Sequence, residues 1–244
     1  MFYPAASPLP TVESSPPGCF EMSLLSVLTL GLFLGMRHAT DADHVVALTT
    51  LVARRQTTRS AMLLGALWGV GHGITILCVG GAIILLGLAV PPRLGLLLEL
   101  GVALMLIALG AMNVLGAWRR VEHAAQEGGH GLQRAPGFRS FVIGVVHGLA
   151  GSAAVALLVL STIRDAGLAF VYLALFGAGT VAGMMLLTTA MSVPLAAAAR
   201  RFGPLERLLG HVTGAVSVAF GLFLVYQIGF VDGLFGADPS WNPK

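Results

Sequence analysis

Residues 35–48 read GMRHATDADHVVAL, and residues 144–157 read GVVHGLAGSAAVAL. With Gly35 set on Gly144, His38 falls on His147 and both stretches close with Val-Ala-Leu. At nearly the same displacement LWGVGH, from Leu67, falls on LFGAGT, from Leu175, and Gly110 falls opposite Gly221. One displacement that holds across three apolar stretches marks an internal repeat. It predicts two halves built alike, each of three apolar helices.

Composition sets the medium. The chain has 244 residues, of which 56% are hydrophobic and 10% charged, and its mean hydropathy is +0.87. Those values lie outside the range of a water-soluble domain, so the fold class read here is an all-α integral membrane protein. Apolar stretches near 22–53, 61–90, 94–118, 140–163, 167–199 and 206–231 each exceed the roughly 20 residues that cross about 30 Å of hydrocarbon. This gives an N-terminal tail (1–21), a first three-helix repeat (22–118), a polar loop (119–139), a second three-helix repeat (140–231) and a C-terminal tail (232–244). Three spans per repeat is an odd number, so the two repeats must be inverted in the membrane. Many secondary transporters are built this way, and the first and fourth helices then meet near the midplane.

Charge adds the orientation. Arg54, Arg55, Arg59, Arg119, Arg120, Arg134, Arg139, Arg200, Arg201 and Arg207 lie on one side of the six spans, against Arg93, Arg164 and Lys244 on the other. The positive-inside rule then puts the central loop in the cytoplasm and both termini outside, in a multi-pass protein of the cell (inner) membrane. The net charge of +3 is explained by these loops and implies no nucleic acid. The residues before Cys19 lack the apolar core of a signal peptide, so the first apolar segment is read as retained. Cys19 and Cys78 form no C-x-x-C pair, and cysteine decides nothing.

The segment RHATDADH, Arg37 to His44, then becomes the central question. Charged groups at a membrane-helix centre cost about 2.5 to 3.5 kcal/mol each, so Arg37, Asp41 and Asp43 represent roughly 7 to 10 kcal/mol before pairing. On an ideal helix His38, Asp41 and His44 share one arc, and Arg37 stands four residues before Asp41, a spacing that predicts an Arg37–Asp41 salt bridge. Asp43 lies roughly 140° from His38 at 100° per residue. It joins the others only if the helix is unwound there. Two imidazoles with one or two carboxylates suit a borderline divalent ion such as Ni2+, Co2+ or Zn2+, whereas Ca2+ and Mg2+ want oxygen donors. A buried network that merely fixes packing is the bland alternative.

These residues carry a resemblance. Arg37–His44 holds H-x4-D-H as His38, Asp43 and His44, and it resembles the signature of the nickel/cobalt transporter family. GALWGVGHG, with His72, is similar to that family's second conserved helix, and HGLAGSAA, from His147, is similar to the shorter, six-span, urease-accessory-type branch of nickel permeases. The resemblance runs from about Gly31 to Gly229. It implies transport of Ni2+ or Co2+ as substrate, in the direction of uptake, with His38, Asp43 and His44 essential and Asp41 supporting. The larger branch has eight spans and an acidic motif in its second half, where this chain has His147 to Ser152.

Further candidates fill out the site. His72 lies in a Gly-rich helix that permits close approach and reads as a ligand or gate against a packing histidine. His147 matches His38, but Ser152 and Ala153 stand where Asp43 and His44 would be. The metal candidates are thus His38, Asp41, Asp43, His44, His72 and His147, with His123 and His130 of the central loop as candidates for handing metal to or from the cytoplasm, where a metallochaperone is the candidate partner. Asn113, Thr180 and Ser217 read as interhelical hydrogen-bond formers, and Met184, Met185 and Met191 as gap-filling core.

Three functions compete. A secondary transporter, importer or exporter, would replace the ion's hydration shell with imidazole and carboxylate, need no resident cofactor, and weaken as pH falls through the histidine range. The chain holds no G-x-x-x-x-G-K-[ST] and so no ATP site of that kind. A membrane acyltransferase would use His38 and Asp43 as a base and its orienting acid, but leaves Arg37, Asp41 and His44 unexplained. H-E-x-x-H is absent. A purely structural subunit would tolerate conservative replacement of the motif.

Overall fold

The computed structural model describes residues 17–53, 57–86, 91–116, 136–149, 163, 165–201 and 205–241. Among them the elements are α1 (Pro17–His38), α2 (Ala42–Val52), α3 (Thr58–Leu86), α4 (Pro92–Val114), α5 (Pro136–Gly148), α6 (Ala166–Arg201) and α7 (Leu205–Tyr226), the last running into a π-helical turn, Gln227–Val231. No strand occurs among the described residues. Four helical stretches, Thr58–Leu86, Pro92–Val114, Ala166–Leu195 and Leu208–Val231, are by themselves long and apolar enough to cross a membrane. The protein is an α-helical, multi-pass membrane protein.

The first apolar run is not one helix. α1 stops at His38 and α2 starts at Ala42. The Thr40 hydroxyl donates to the Arg37 carbonyl at 2.6 Å, and the Thr40 and Asp41 amides fold back to Arg37 and His38. Short polar side chains compete in this way with helical hydrogen bonding. Asp41 is extended, with φ −62° and ψ 149°, and its carbonyl accepts from Val45 to open the next helix. Free backbone groups at such a break are tolerated inside a membrane only where protein surrounds them or a cavity is lined. Elsewhere the sequence signals are ordinary: Pro91 and Pro92 start α4, and Gly116, at φ +63°, ends it.

Packing follows small residues. α6 is the central strut, lying against α1 and α3; α5 packs on α3, α4 on α7, and α2 touches α4, α6 and α7. Without a hydrophobic drive between helices in lipid, close backbone approach supplies the attraction. A methyl group at Gly35 would collide with the Phe176 carbonyl, and one at Gly144 with the Trp68 carbonyl. The same exchange recurs between Gly71 and Phe141 and between Gly179 and Leu32, and again between Gly110 and Gly214 and between Gly221 and Ala103. Asn113 Nδ2 donates to Thr50 O and Ser217 Oγ to Leu106 O, each at 2.8 Å, so both tie helices together. Thr180 differs from expectation. Its hydroxyl returns to Phe176 O, one turn back on its own helix. Met184 is fully buried in the core cluster with Leu48, Leu64 and Trp68.

Candidate metal centre

Four histidines converge at the break. His38 arrives on the last turn of α1, His44 on the first turn of α2, His72 from the middle of α3 and His147 from the end of α5. All four are buried, His38 at 5% exposure and the others at 0%. Their rings touch in a chain: His38 to His44 at 4.6 Å between centroids, His44 to His147 at 4.3 Å, and His72 within 5.0 to 5.7 Å of the other three.

Two carboxylates orient the rings. His38 Nδ1 lies 2.7 Å from Asp41 Oδ2. An ionised carboxylate only accepts, so this contact puts the ring proton on Nδ1 and leaves the Nε2 lone pair facing His72 Nε2, 3.1 Å away. Asp43 holds two rings at once: Oδ1 takes His44 Nδ1 at 3.0 Å together with the His44 amide at 2.9 Å, and Oδ2 takes His147 Nε2 at 3.0 Å. Its place in the first turn of α2 also sets the negative charge on the positive end of that helix. His44 Nε2, His72 Nδ1 and His147 Nδ1 are buried with no hydrogen-bond partner. Trp68 Nε1 and the Tyr172 hydroxyl are likewise without a partner, and a bound ion or an ordered water accounts for buried atoms of this kind.

The geometry sorts these residues into two groups whose ligand atoms lie within 4.8 Å of one another, His38 with His44 and His72, and Asp43 with His44 and His147. Nitrogen and carboxylate donors in this mixture fit Ni2+, Co2+ or Zn2+ rather than Ca2+ or Mg2+.

Several sequence expectations change here. Arg37 and Asp41 form no ion pair among the described residues; Asp41 turns to His38, and Arg37 is exposed. The helix ends between them, so the four-residue spacing no longer stacks the two side chains. The His38–Asp43 dyad that an acyltransferase needs is not formed either, because Asp43 is taken by His44 and His147. Asp41 sits behind His38, on the nitrogen away from His72, and is in neither ligand group. His123 and His130 lie outside the described residues.

Two aromatic residues were missed. Trp68 stacks on His44 at 5.9 Å and stands edge-on to His147 at 5.4 Å, while Phe176 lies 5.4 Å from His38. They occupy the same place in LWGVGH and LFGAGT, so the repeat already marked them as a pair.

Against known proteins, 222 residues align at 35% identity with the urease accessory protein UreH of Bacillus sp. (strain TB-90), covering 88% of this chain and 97% of that protein. The chain belongs to the UreH family of urease accessory proteins. No family model matches it, and no solved structure matches it. What the relative's name describes is an accessory protein rather than the enzyme itself.

Proposed function

We propose that the protein is a secondary permease that carries Ni2+, Co2+ or both across the cytoplasmic membrane, in the direction of uptake, through the cluster at the α1–α2 break. One observation carries the reading: imidazoles from four helices and two carboxylates meet, buried, at an interrupted membrane helix, with three ring nitrogens left without partners. Kinship with a urease accessory protein and the resemblance to nickel permeases of the urease-accessory type point to nickel as cargo. The ion is substrate, and the reading needs no resident cofactor and no ATP.

In this mechanism the donors replace the ion's hydration shell and Asp43 supplies compensating charge inside the membrane. The negative end of α1, at His38, and the unwound backbone after it also favour a cation, as in other transporters with interrupted helices. Asp41 acts from behind, fixing the tautomer and aim of His38 as carboxylates do for metal-bound histidines.

The scaffold reading is six spans in two inverted repeats, with α1 and α2 together as the first span. Reciprocal glycine contacts support it. With Gly35 on Gly144 and Leu67 on Leu175, Gly35–Phe176 maps onto Gly144–Trp68, and Gly71–Phe141 maps onto Gly179–Leu32. Exchange of partners between halves is the mark of a two-fold relation, and with three spans per half the axis lies in the membrane plane. Rocking of one half on the other would expose the site to each side in turn, with both termini outside. The basic central loop would deliver the ion to a cytoplasmic metallochaperone.

The test is uptake of radiolabelled nickel and cobalt by cells expressing the intact chain, His38→Ala or Asp43→Asn. Accumulation with the intact chain and background levels with both variants are expected. If the intact chain moves neither metal, the proposal fails.

A further inference from the structure

The two ligand groups share one residue, and that sharing has a mechanistic content beyond the presence of a metal site. Resting on the transport reading, we infer that the ion occupies two positions in turn, an all-imidazole position made by His38, His44 and His72 and an acidic position made by Asp43, His44 and His147, with His44 the ligand common to both.

The donors fall into two groups rather than one. Metal–nitrogen and metal–oxygen bonds of about 2.0 to 2.2 Å confine the ligand atoms of one ion to a small sphere. His38 and Asp43 fall in different groups, and no group of mutually close ligand atoms holds both. The separation of His38 Nε2 and His72 Nε2, 3.1 Å, suits neighbouring donors on a single ion. Asp43, for its part, reaches His44 and His147 with its two oxygens, both at 3.0 Å.

His44 is placed to serve both. Its Nδ1 faces Asp43, its Nε2 has no partner, and its ring lies 4.6 Å from His38 and 5.0 Å from His72. Nδ1 therefore belongs to the acidic position and Nε2 to the all-imidazole one. The single proton of the neutral ring resides on whichever nitrogen the ion does not use, so with the ion at the all-imidazole position Nδ1–H donates to Asp43. Because one ring serves both, the positions fill alternately and the protein holds one ion at a time.

The chemistry of the two positions differs in a way that suits passage. The acidic position carries a carboxylate charge, and Asp43 keeps 18% of its side chain exposed; the all-imidazole position is neutral, and its rings are at most 5% exposed. Conduction requires sites that bind well enough to admit an ion and are divided enough to release it. A shared ligand lets the ion cross from one donor set to the other without returning to water.

The experiment uses the purified full-length protein in detergent, titrated with Co2+ and read by visible absorption and by metal content. His72→Gln and His147→Gln each remove one position and keep the ring volume approximately; His72→Asn and His147→Asn repeat the test, and gel filtration confirms that each variant remains folded. The intact protein is expected to bind one equivalent. His72→Gln and His147→Gln should each still bind one equivalent, more weakly and with two different spectra. His44→Gln should lose binding altogether, and neither single-position variant should support uptake. Equal loss of binding in His72→Gln, His147→Gln and His44→Gln would mean a single site and overturn the inference while leaving transport intact. Retained binding in His44→Gln, or identical spectra in the two single-position variants, would overturn it as well. Absence of both binding and uptake in the intact protein would instead sink the transport reading on which it rests.

Discussion

His38 and His147 stand at matching places in the two halves of the sequence, and their surroundings show how one scaffold is specialised. Around His38 the chain adds Asp41, Asp43 and His44, and the helix breaks. Around His147 the corresponding sequence positions are apolar or small, and the ring comes from the last turn of α5, as that of His38 comes from the last turn of α1, to be held by the first half's Asp43. Packing is shared between the halves; charge is not. The seams of small residues repeat, while every carboxylate of the site comes from one side. On the two-repeat reading proposed above, the bundle supplies the frame twice and the carboxylates of the site once.

The largest expected effect lies on the specialised side. Asp43→Asn removes the one carboxylate among the described residues that reaches two imidazoles, and nickel uptake is expected to fall to background at unchanged protein level, read by immunoblot beside the transport assay. Wild-type uptake in that variant would break the contrast between the halves.

Next come the shared seams. Gly35→Val and Gly144→Val each drive a side chain into the backbone of a facing helix, and overpacking of this kind costs about 1 to 3 kcal/mol. Both should lower the thermal midpoint of the detergent-solubilised protein by comparable amounts. A large loss from one and none from the other would argue against a common frame.

Asp41→Asn sharpens the comparison within the first half. It leaves both ligand groups in place and disturbs only the orientation of His38, so ion affinity should weaken by about 10- to 100-fold, the range for partners behind a metal-bound histidine. Titration of the purified variant with Co2+ measures it.

Smaller effects follow away from the cluster. Trp241 lies against Gly95 and donates to Glu99 at 2.8 Å, closing the C-terminal segment over α4. Trp241→Phe loses that bond and should cost about 1 kcal/mol, seen in thermal unfolding with little change in uptake. Arg37→Gln should do least of all. Because Asp41 is engaged by His38, the change is expected to stay within about 0.5 kcal/mol of the parent.

Much of this was legible in the sequence. Hydropathy marked the apolar runs, the repeat marked which glycines and aromatics correspond, and the density of ionisable groups between Arg37 and His44 marked the centre. The ideal-helix projection set Asp43 apart from His38 unless the helix is interrupted; the interruption is there, at 39–41, and the two residues still fall in different ligand groups. Which carboxylate meets which imidazole was not legible. That depends on how α3 and α5 are set against the break, and on Thr40 and Asp41 choosing local hydrogen bonds over the helix. The Arg37–Asp41 pair failed for the same reason, since spacing rules along a helix apply only while the helix continues. Trp68 and Phe176 went unread because an aromatic residue in an apolar helix looks like core until its neighbours are known.

The most direct test of the central claim is nickel uptake into sealed proteoliposomes that contain only the purified protein, compared with liposomes carrying Asp43→Asn. Time-dependent accumulation of radiolabelled nickel with the intact protein, released by an ionophore and missing from the variant liposomes, is the predicted result. No accumulation of nickel or cobalt with the intact protein, or equal accumulation with the variant, would contradict it.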